Sequence, residues 1–217
     1  KGIQPKTTDV YKDFKDKVDF FKPDLIAVSF VEDTFSYGER LLESIREYDI
    51  PVVAGGPFCT YGFERVAGCP DVDFIIRGEG EAPLRELSLS LINDTSHKEI
   101  ANLVYRDGDN LIQNDMRPSM ELNDIPFADY DVFIKNDKDT LYRPMCGSIY
   151  KTISLETQRG CPFKCSFCVQ GEEYYKRVSH FEEDQVKEEL NYIVRRIKNV
   201  CPNMGSLTIA DPNFGMY

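Results

Sequence analysis

Residues 159–171 read RGCPFKCSFCVQG and carry three cysteines, Cys161, Cys165 and Cys168, within eight positions. Thiolates ligate soft and borderline metals, among them zinc and the irons of iron–sulfur clusters. Gly160, Pro162 and Gly171 favour a turn over a core element here. Arg159 and Lys164 add positive charge, which lowers thiol pKa values and offsets the charge of a bound cluster. Structural zinc needs a fourth ligand, for which Cys146, His180 or Cys201 could serve, although none belongs to a second paired motif. A cubane cluster on three thiolates instead keeps one iron open to a substrate or cofactor, an arrangement suited to catalysis rather than electron storage.

Such a loop needs elements to hold it. Residues 151–157, KTISLET, alternate and are β-rich, so a strand is expected to feed the loop. Residues 179–199, SHFEEDQVKEELNYIVRRIKN, form the clearest helical pattern. Ser179 and Glu182 read as a capping box. Glu182, Glu183 and Asp184 fall in the first turn, with Arg195, Arg196 and Lys198 in the last, as the helix dipole favours. Val186, Leu190, Ile193, Val194 and Ile197 make the expected buried stripe. SLTIAD, residues 206–211, is the next strand.

The N-terminal half alternates helices and strands. Val10, Phe14, Val18 and Phe21 define an amphipathic helix that Pro23 ends. DLIAVSF (24–30), PVVAGG (51–56) and DFIIRG (73–78) read as short strands, the first two buried on both faces. Residues 37–49 are expected to be helical with Leu41, Leu42 and Ile45 inward; FERVAG is a helical turn, and residues 81–92 a further helix. This order predicts a Rossmann-like parallel sheet with helices on both faces and right-handed crossovers. Ligands of such sheets bind beyond the carboxyl ends of the strands, where Ser29, Gly55, Gly56 and residues 77–81 (RGEGE) lie. Residues 102–114, NLVYRDGDNLIQN, signal a hairpin around Asp107–Gly108, and LNDIPFADYDVF reads as a draped connector. The expected division is a partial Rossmann-like domain over 1–95, a hairpin-containing linker over 96–150, and a strand–helix–strand unit over 151–217. An opening helix without its strand, and a closing βαβ unit without further strands, are expected of a piece of a longer protein.

Composition narrows the classes. The 217 residues are 41% hydrophobic and 29% charged, as in soluble globular domains. A net charge of −11 argues against non-specific nucleic-acid binding, although the YYKR stretch ending at Arg177 could touch a phosphate. No apolar run is long enough to span a membrane, and KGIQPKTTDV does not read as a signal peptide. Seven unevenly spaced cysteines fit a reducing cytosol better than a disulfide framework. Cys59, Cys69, Cys146 and Cys201 stand alone and read as small buried hydrophobes. His97 and His180 read as surface or capping residues, and Glu79 and Glu81 as a solvated helix start. A dinucleotide enzyme needs G-x-G-x-x-G, but RGEGEAP places Pro83 at the third position.

CPFKCSFC resembles the CxxxCxxC loop of the radical S-adenosylmethionine superfamily, in which an aromatic residue, here Phe167, commonly precedes the last cysteine. The resemblance implies a [4Fe-4S] cluster on Cys161, Cys165 and Cys168, with its fourth iron chelating the amino and carboxylate groups of S-adenosylmethionine. Reductive cleavage would then give a 5′-deoxyadenosyl radical, with Phe167 against the adenine and an electron donor such as flavodoxin or ferredoxin as partner. ADPNF (210–214) aligns loosely with the family's second-strand motif, with no role implied for Asp211. DLIAVSF, PVVAGGPF, DFIIRGEGE and DIPFADYD resemble the branch with a cobalamin-binding domain before the barrel. Ser29, Gly55 and Gly56 match its serine and double-glycine positions, where small residues let the corrin tail approach the backbone. Two features depart from that branch. The Asp-x-His-x-x-Gly loop, source of a lower-ligand histidine, is absent from these residues, and Phe30 and Val31 follow the serine where leucine is usual at the second place. Members methylate unactivated carbons, transfer methylthio groups, or build and cyclise rings, on small-molecule or macromolecular substrates. The competing readings are a non-catalytic metal-binding or interaction module with structural zinc, and a cobalamin domain that binds no corrin. These 217 residues alone are expected to yield no 5′-deoxyadenosine in an anaerobic assay followed by chromatography; measurable product would contradict this.

Overall fold

The computed structural model describes residues 9–130, 142–145, 148–168, 177–197 and 206–215. Cys146, Gly171, residues 174–176, Lys198 and Cys201 lie outside these, as do the side chains of Arg196 and Ile197. The chain divides into two compact units, Lys1–Pro118 and Ser119–Tyr217.

The first unit is built on a five-stranded sheet: β1 (Ile26–Ser29), β2 (Val52–Gly55), β3 (Phe74–Ile76), β4 (Leu103–Asp107) and β5 (Asn110–Gln113), in that spatial order. β1, β2 and β3 are parallel, while β3–β4 and β4–β5 are antiparallel. The expected hairpin forms, with Gly108 at φ +60 in a two-residue loop. It is not part of a connector, because β4 pairs with β3 and so extends the first sheet. The compact unit accordingly runs to Pro118 rather than to residue 95.

The sheet is covered on both faces. Val52, Ala54 and Ile75 pack with Phe35 and Leu42 of α2 (Phe35–Glu43), Val18 of α1 (Val10–Phe21), and Val66 of α4 (Phe63–Ala67). Val53, Ile76, Leu103 and Tyr105 point the other way and pack with Leu87 of α5 (Glu81–Ile92). This alternation along β2 and β3 is the pleat of a strand buried on both sides. A short helix, α3 (Pro57–Tyr61), lies directly after β2.

Asp9 caps α1, its carboxylate accepting from the amides of Tyr11 and Lys12 at 3.0 and 3.3 Å. Of the α1 stripe only Val18 is buried; Val10 and Phe21 are 57% and 53% exposed. β1 departs from expectation in the same way, because it is the edge strand of the described sheet and its Ala27 is exposed.

Asn102 fixes the exit of β3. It is fully buried and holds φ at +72. Its side-chain amide donates to the Arg77 carbonyl at 2.8 Å, its carbonyl accepts from the Arg77 amide at 3.0 Å, and its Oδ1 accepts from the Arg117 amide at 2.6 Å. Arg117 in turn grips Glu86 of α5 with two bonds of 3.0 and 2.8 Å, and this holds the Glu86 carboxyl below its usual range.

The second unit has β6 (Tyr142–Met145) antiparallel to β7 (Ser148–Leu155), and β7 parallel to β10 (Ser206–Ile209). Two short strands, β8 (Gln158–Arg159) and β9 (Ser179–His180), pair antiparallel. α6 (Glu183–Tyr192) continues as a π-helical turn over Ile193–Ile197. Ile153, Leu155 and Ile193 form the core, with Val186, Leu190 and Tyr130 against it. The Tyr130 hydroxyl donates to the Ser154 carbonyl at 2.7 Å and lies 3.0 Å from Glu189 Oε1. The capping box is absent: Ser179 is in β9, Glu182 is the N-cap, and no side chain caps the helix. Val194, one step after the buried Ile193, is 55% exposed and lies off the buried stripe.

Asn102→Ala is expected to destabilise the protein by about 2–4 kcal/mol, since it orphans buried backbone partners and leaves a Cβ residue in the left-handed region without the local hydrogen bonds. Urea denaturation of the variant would measure it.

Candidate functional site

Two places collect the residues singled out in the sequence. The first is the carboxyl edge of β1–β3. Register pairs Ser29 with Gly55, and the ladder continues through Phe30 N to Gly55 O at 2.8 Å. Gly56 then turns with φ +91. A Cβ there would lie 2.6 Å from Ser29 Oγ and 2.8 Å from the Phe30 carbonyl oxygen, so only glycine fits. Gly55 differs: a Cβ would meet nothing within 4 Å, so its outer side is open space at the strand ends. Thr60 Oγ1 accepts from the Gly78 amide at 2.8 Å and ties α3 to the turn after β3. Ser29, Gly55 and Gly56 are therefore brought together. Residues 77–80 leave β3 at the same edge, and Glu81 opens α5.

His97 is elsewhere. Its ring sits edge-on to Phe74 and Tyr105, with centroids 5.0 and 5.1 Å away. Phe74 begins β3, so this histidine packs at the amino end of that strand, opposite the glycine edge.

The second place is the cysteine loop. β8 leads into it and β9 leaves it, Gln158 opposite His180 and Arg159 opposite Ser179. Ser179 is thus committed to the neck of the loop, which explains the missing cap. Gly160 turns the chain with φ +89. The Cys168 amide donates to the Cys165 carbonyl at 3.0 Å, closing a four-residue turn that holds the second and third cysteines close in space. All three cysteines are free; Cys165 is exposed, and Cys161 and Cys168 are half-buried. Phe167 stands out at 89% exposure. Arg159 donates to Glu156 at 2.8 Å, so part of its charge is already answered. Arg177, the described end of the basic YYKR stretch, pairs with Glu121 at 2.6 Å.

The root of this loop is fastened by residues whose role is not legible from sequence alone. Asp211, just past β10, accepts from the Thr157 amide at 2.7 Å and the Gln158 amide at 3.2 Å, and also from the Thr157 hydroxyl. Gln158 donates to the Asn213 carbonyl, and Asn213 Nδ2 reaches Cys161 Sγ at 2.9 Å. ADPNF was visible as a motif, but its partners are more than fifty residues away in sequence, and only the β7–β10 register brings them together. Among the described residues no group of three or more His, Cys, Asp or Glu side chains is gathered tightly enough to hold a metal ion. The donor set nonetheless suits a thiophilic metal in kind: three reduced, accessible thiols share one tethered turn, and one accepts an amide N–H. Separately, an apolar cavity of about 500 Å³ lies between α6 and the β7–β10 sheet, and the cysteines do not line it.

Residues 3–88 match the family model described as the B12 binding domain. An uncharacterized methyltransferase of Pyrococcus horikoshii is 30% identical over 179 residues, covering 80% of this chain and 37% of that protein. The cobalamin-dependent radical SAM methyltransferase TokK of Streptomyces tokunonensis is 27% identical over 203 residues, covering 90% of this chain and 28% of TokK. The solved structure of the cobalamin-dependent S-adenosylmethionine radical enzyme OxsB, with aqua-cobalamin and S-adenosylmethionine bound, superimposes with a TM-score of 0.76 over 96% of this chain at 20% identity, and the chain covers 28% of it. At that identity the likeness is one of fold. The chain spans less than two-fifths of the length of each of these three proteins.

Thiol accessibility separates the two cysteine classes. Cys59 is fully buried, and burial pushes its thiol up to about 12; Cys69 is buried and shifted upward for the same reason. In metal-free native protein, iodoacetamide should modify Cys161, Cys165 and Cys168 well before Cys59 and Cys69, as mapped by peptide mass spectrometry. Equal rates would contradict this assignment.

Proposed function

We propose that the chain, a relative of the cobalamin-binding branch of the radical S-adenosylmethionine superfamily, takes part in methyl transfer, with cobalamin at the β1–β3 edge and a [4Fe-4S] cluster on Cys161, Cys165 and Cys168. The observation that carries the reading is one chain holding both a B12-domain match over residues 3–88 and a three-thiol turn mounted directly after a strand of a parallel pair. Bound there, the cluster would supply single electrons for cleaving the sulfonium of S-adenosylmethionine, and cobalamin would supply a methyl carrier.

The chain's own residues would divide the work as follows. Gly56 keeps the backbone at the end of β2 pressed against Ser29 and Phe30. Gly55 leaves open room beside it, so a bulky flat ligand can approach main-chain atoms. The exposed Ser29 hydroxyl can offer a hydrogen bond at the same edge. Cys161, Cys165 and Cys168 would ligate as thiolates, and metal binding would draw together a turn that is tethered but not yet gathered. Phe167 presents an exposed ring on which adenine could stack.

Anaerobic iron–sulfide reconstitution of the full-length protein should give about four irons per chain, broad visible absorption, and on reduction a paramagnetic signal altered by S-adenosylmethionine. Tight one-to-one zinc binding without these responses would support a structural site instead. For the corrin edge, Gly55→Ala should leave folding stability nearly unchanged, since its Cβ enters open space. It should weaken hydroxocobalamin binding by roughly tenfold or more, the equivalent of about 1–3 kcal/mol of overpacking. Unaltered binding, followed by absorbance titration, would move cobalamin away from this edge.

A further inference from the structure

We propose that Asn213 is a positioning residue for the cluster seat, its amide N–H held on the sulfur of Cys161 so as to favour the reduced cluster. The inference rests on the cluster reading above and goes beyond it, because it assigns a task to a residue that is not itself a ligand.

The geometry is specific. Asn213 Nδ2 lies 2.9 Å from Cys161 Sγ. A cluster-bound thiolate can only accept hydrogen bonds, so in the loaded site the amide would present its nitrogen, as it does here, and not its oxygen. Asn213 is also held from its backbone side, because its carbonyl accepts from the Gln158 side chain, and Gln158 is only 2% exposed. Two residues upstream, Asp211 binds the backbone amides of Thr157 and Gln158. The end of β10 and the root of the cysteine loop are thus fastened at several points, and Asn213 reaches past them to a thiol. Side-chain packing does not require this arrangement. Phe214, the next residue, is 66% exposed, so the segment is held by hydrogen bonds rather than by burial.

The chemistry gives the contact a direction. A [4Fe-4S] cluster accepting one electron gains negative charge, part of it on the ligand sulfurs. A donor N–H aimed at one of those sulfurs stabilises the reduced form more than the oxidised form and raises the reduction potential. Cys165 and Cys168 belong to a turn closed by its own backbone bond. Cys161 is tied across to β10, so movement of the β10 terminus reports directly to that sulfur.

The test uses the full-length protein, reconstituted anaerobically, with wild type, Asn213→Leu and Asn213→Asp compared. The Leu side chain keeps the size and removes the donor; the Asp side chain keeps the shape, removes the donor and adds a negative charge. Iron content and the midpoint potential are read by redox titration with electron paramagnetic resonance. Both variants should retain their iron and titrate at lower potential than wild type, Asp lower than Leu. A potential equal to that of wild type in the Leu variant overturns the role of Asn213. Should the Leu variant lose its iron, the Asp variant decides by the same criterion. A wild-type protein that takes up no cluster, or a Cys161→Ala variant that takes it up unimpaired, sinks the underlying cluster reading, and with it this inference. Normal cluster uptake in wild type together with an unaltered potential in the variants sinks the inference alone.

Discussion

Parallel strand pairing is the constraint from which both candidate sites follow. Strands that run in the same direction finish on the same edge, and the loops after them are forced together however far apart they lie in sequence. In the first unit the β1–β2 register places Ser29 beside Gly55. In the second, Leu155 lies opposite Ile209, so the residues that follow, Thr157 and Asp211, meet within hydrogen-bond reach. Neither meeting is encoded locally. Each comes from backbone hydrogen bonds that set the register and from hydrophobic side chains that keep the strands at depth, Val53 and Ala54 in one unit, Ile153 and Leu155 in the other.

Once the register is set, polar groups refine the edges. Asn102 and Asp211 play comparable parts in their own units: each presents side-chain atoms to backbone groups beyond a strand end, where no ladder partner remains. Buried backbone groups left without such partners cost about 1–3 kcal/mol each, so these residues decide where the exit loops can lie. The two units differ in rigidity of support. The carboxyl edge of β1–β3 stands on a sheet covered on both faces, whereas the cysteine turn stands on a two-residue ladder and a few side-chain bonds.

What depends on local pattern is legible in the sequence. The strands at residues 24–30, 51–56, 73–78 and 206–211, the hairpin turn, and the helix ended by Pro23 all leave a mark in periodicity or in turn residues. What depends on a distant partner is not legible there. Ser179 carries the signature of a capping box, yet its backbone is drawn into pairing with Arg159 across the cysteine loop. The hairpin looks like a connector until β4 is found against β3. Val10, Phe21 and Val194 fit a helical stripe, but the stripe is wider than the surface available to bury it. The cysteine loop stands out in the sequence because thiol spacing is itself chemical information; Asn213 does not, because one amide in a short acidic-aromatic motif looks like any other until its neighbour is known.

The contrast between a fixed root and an exposed turn has a chemical logic. A cage of three thiolates closed in advance would force like charges together with no metal to offset them. A turn whose neck is tied at Gln158 and Arg159, and whose first sulfur is held by an amide, limits the motion left to the other two thiols without demanding that contact. On the proposed cluster reading most of the ordering would be complete before metal binds, and the remaining collapse would be driven by metal–sulfur bonding itself. Orientation of Cys161 from β10 would also couple the seat to the strand whose end follows the same edge, so that the part of the loop most firmly placed is the part nearest the parallel pair. The sulfur is positioned by the fold, and the fold at that point is positioned by register.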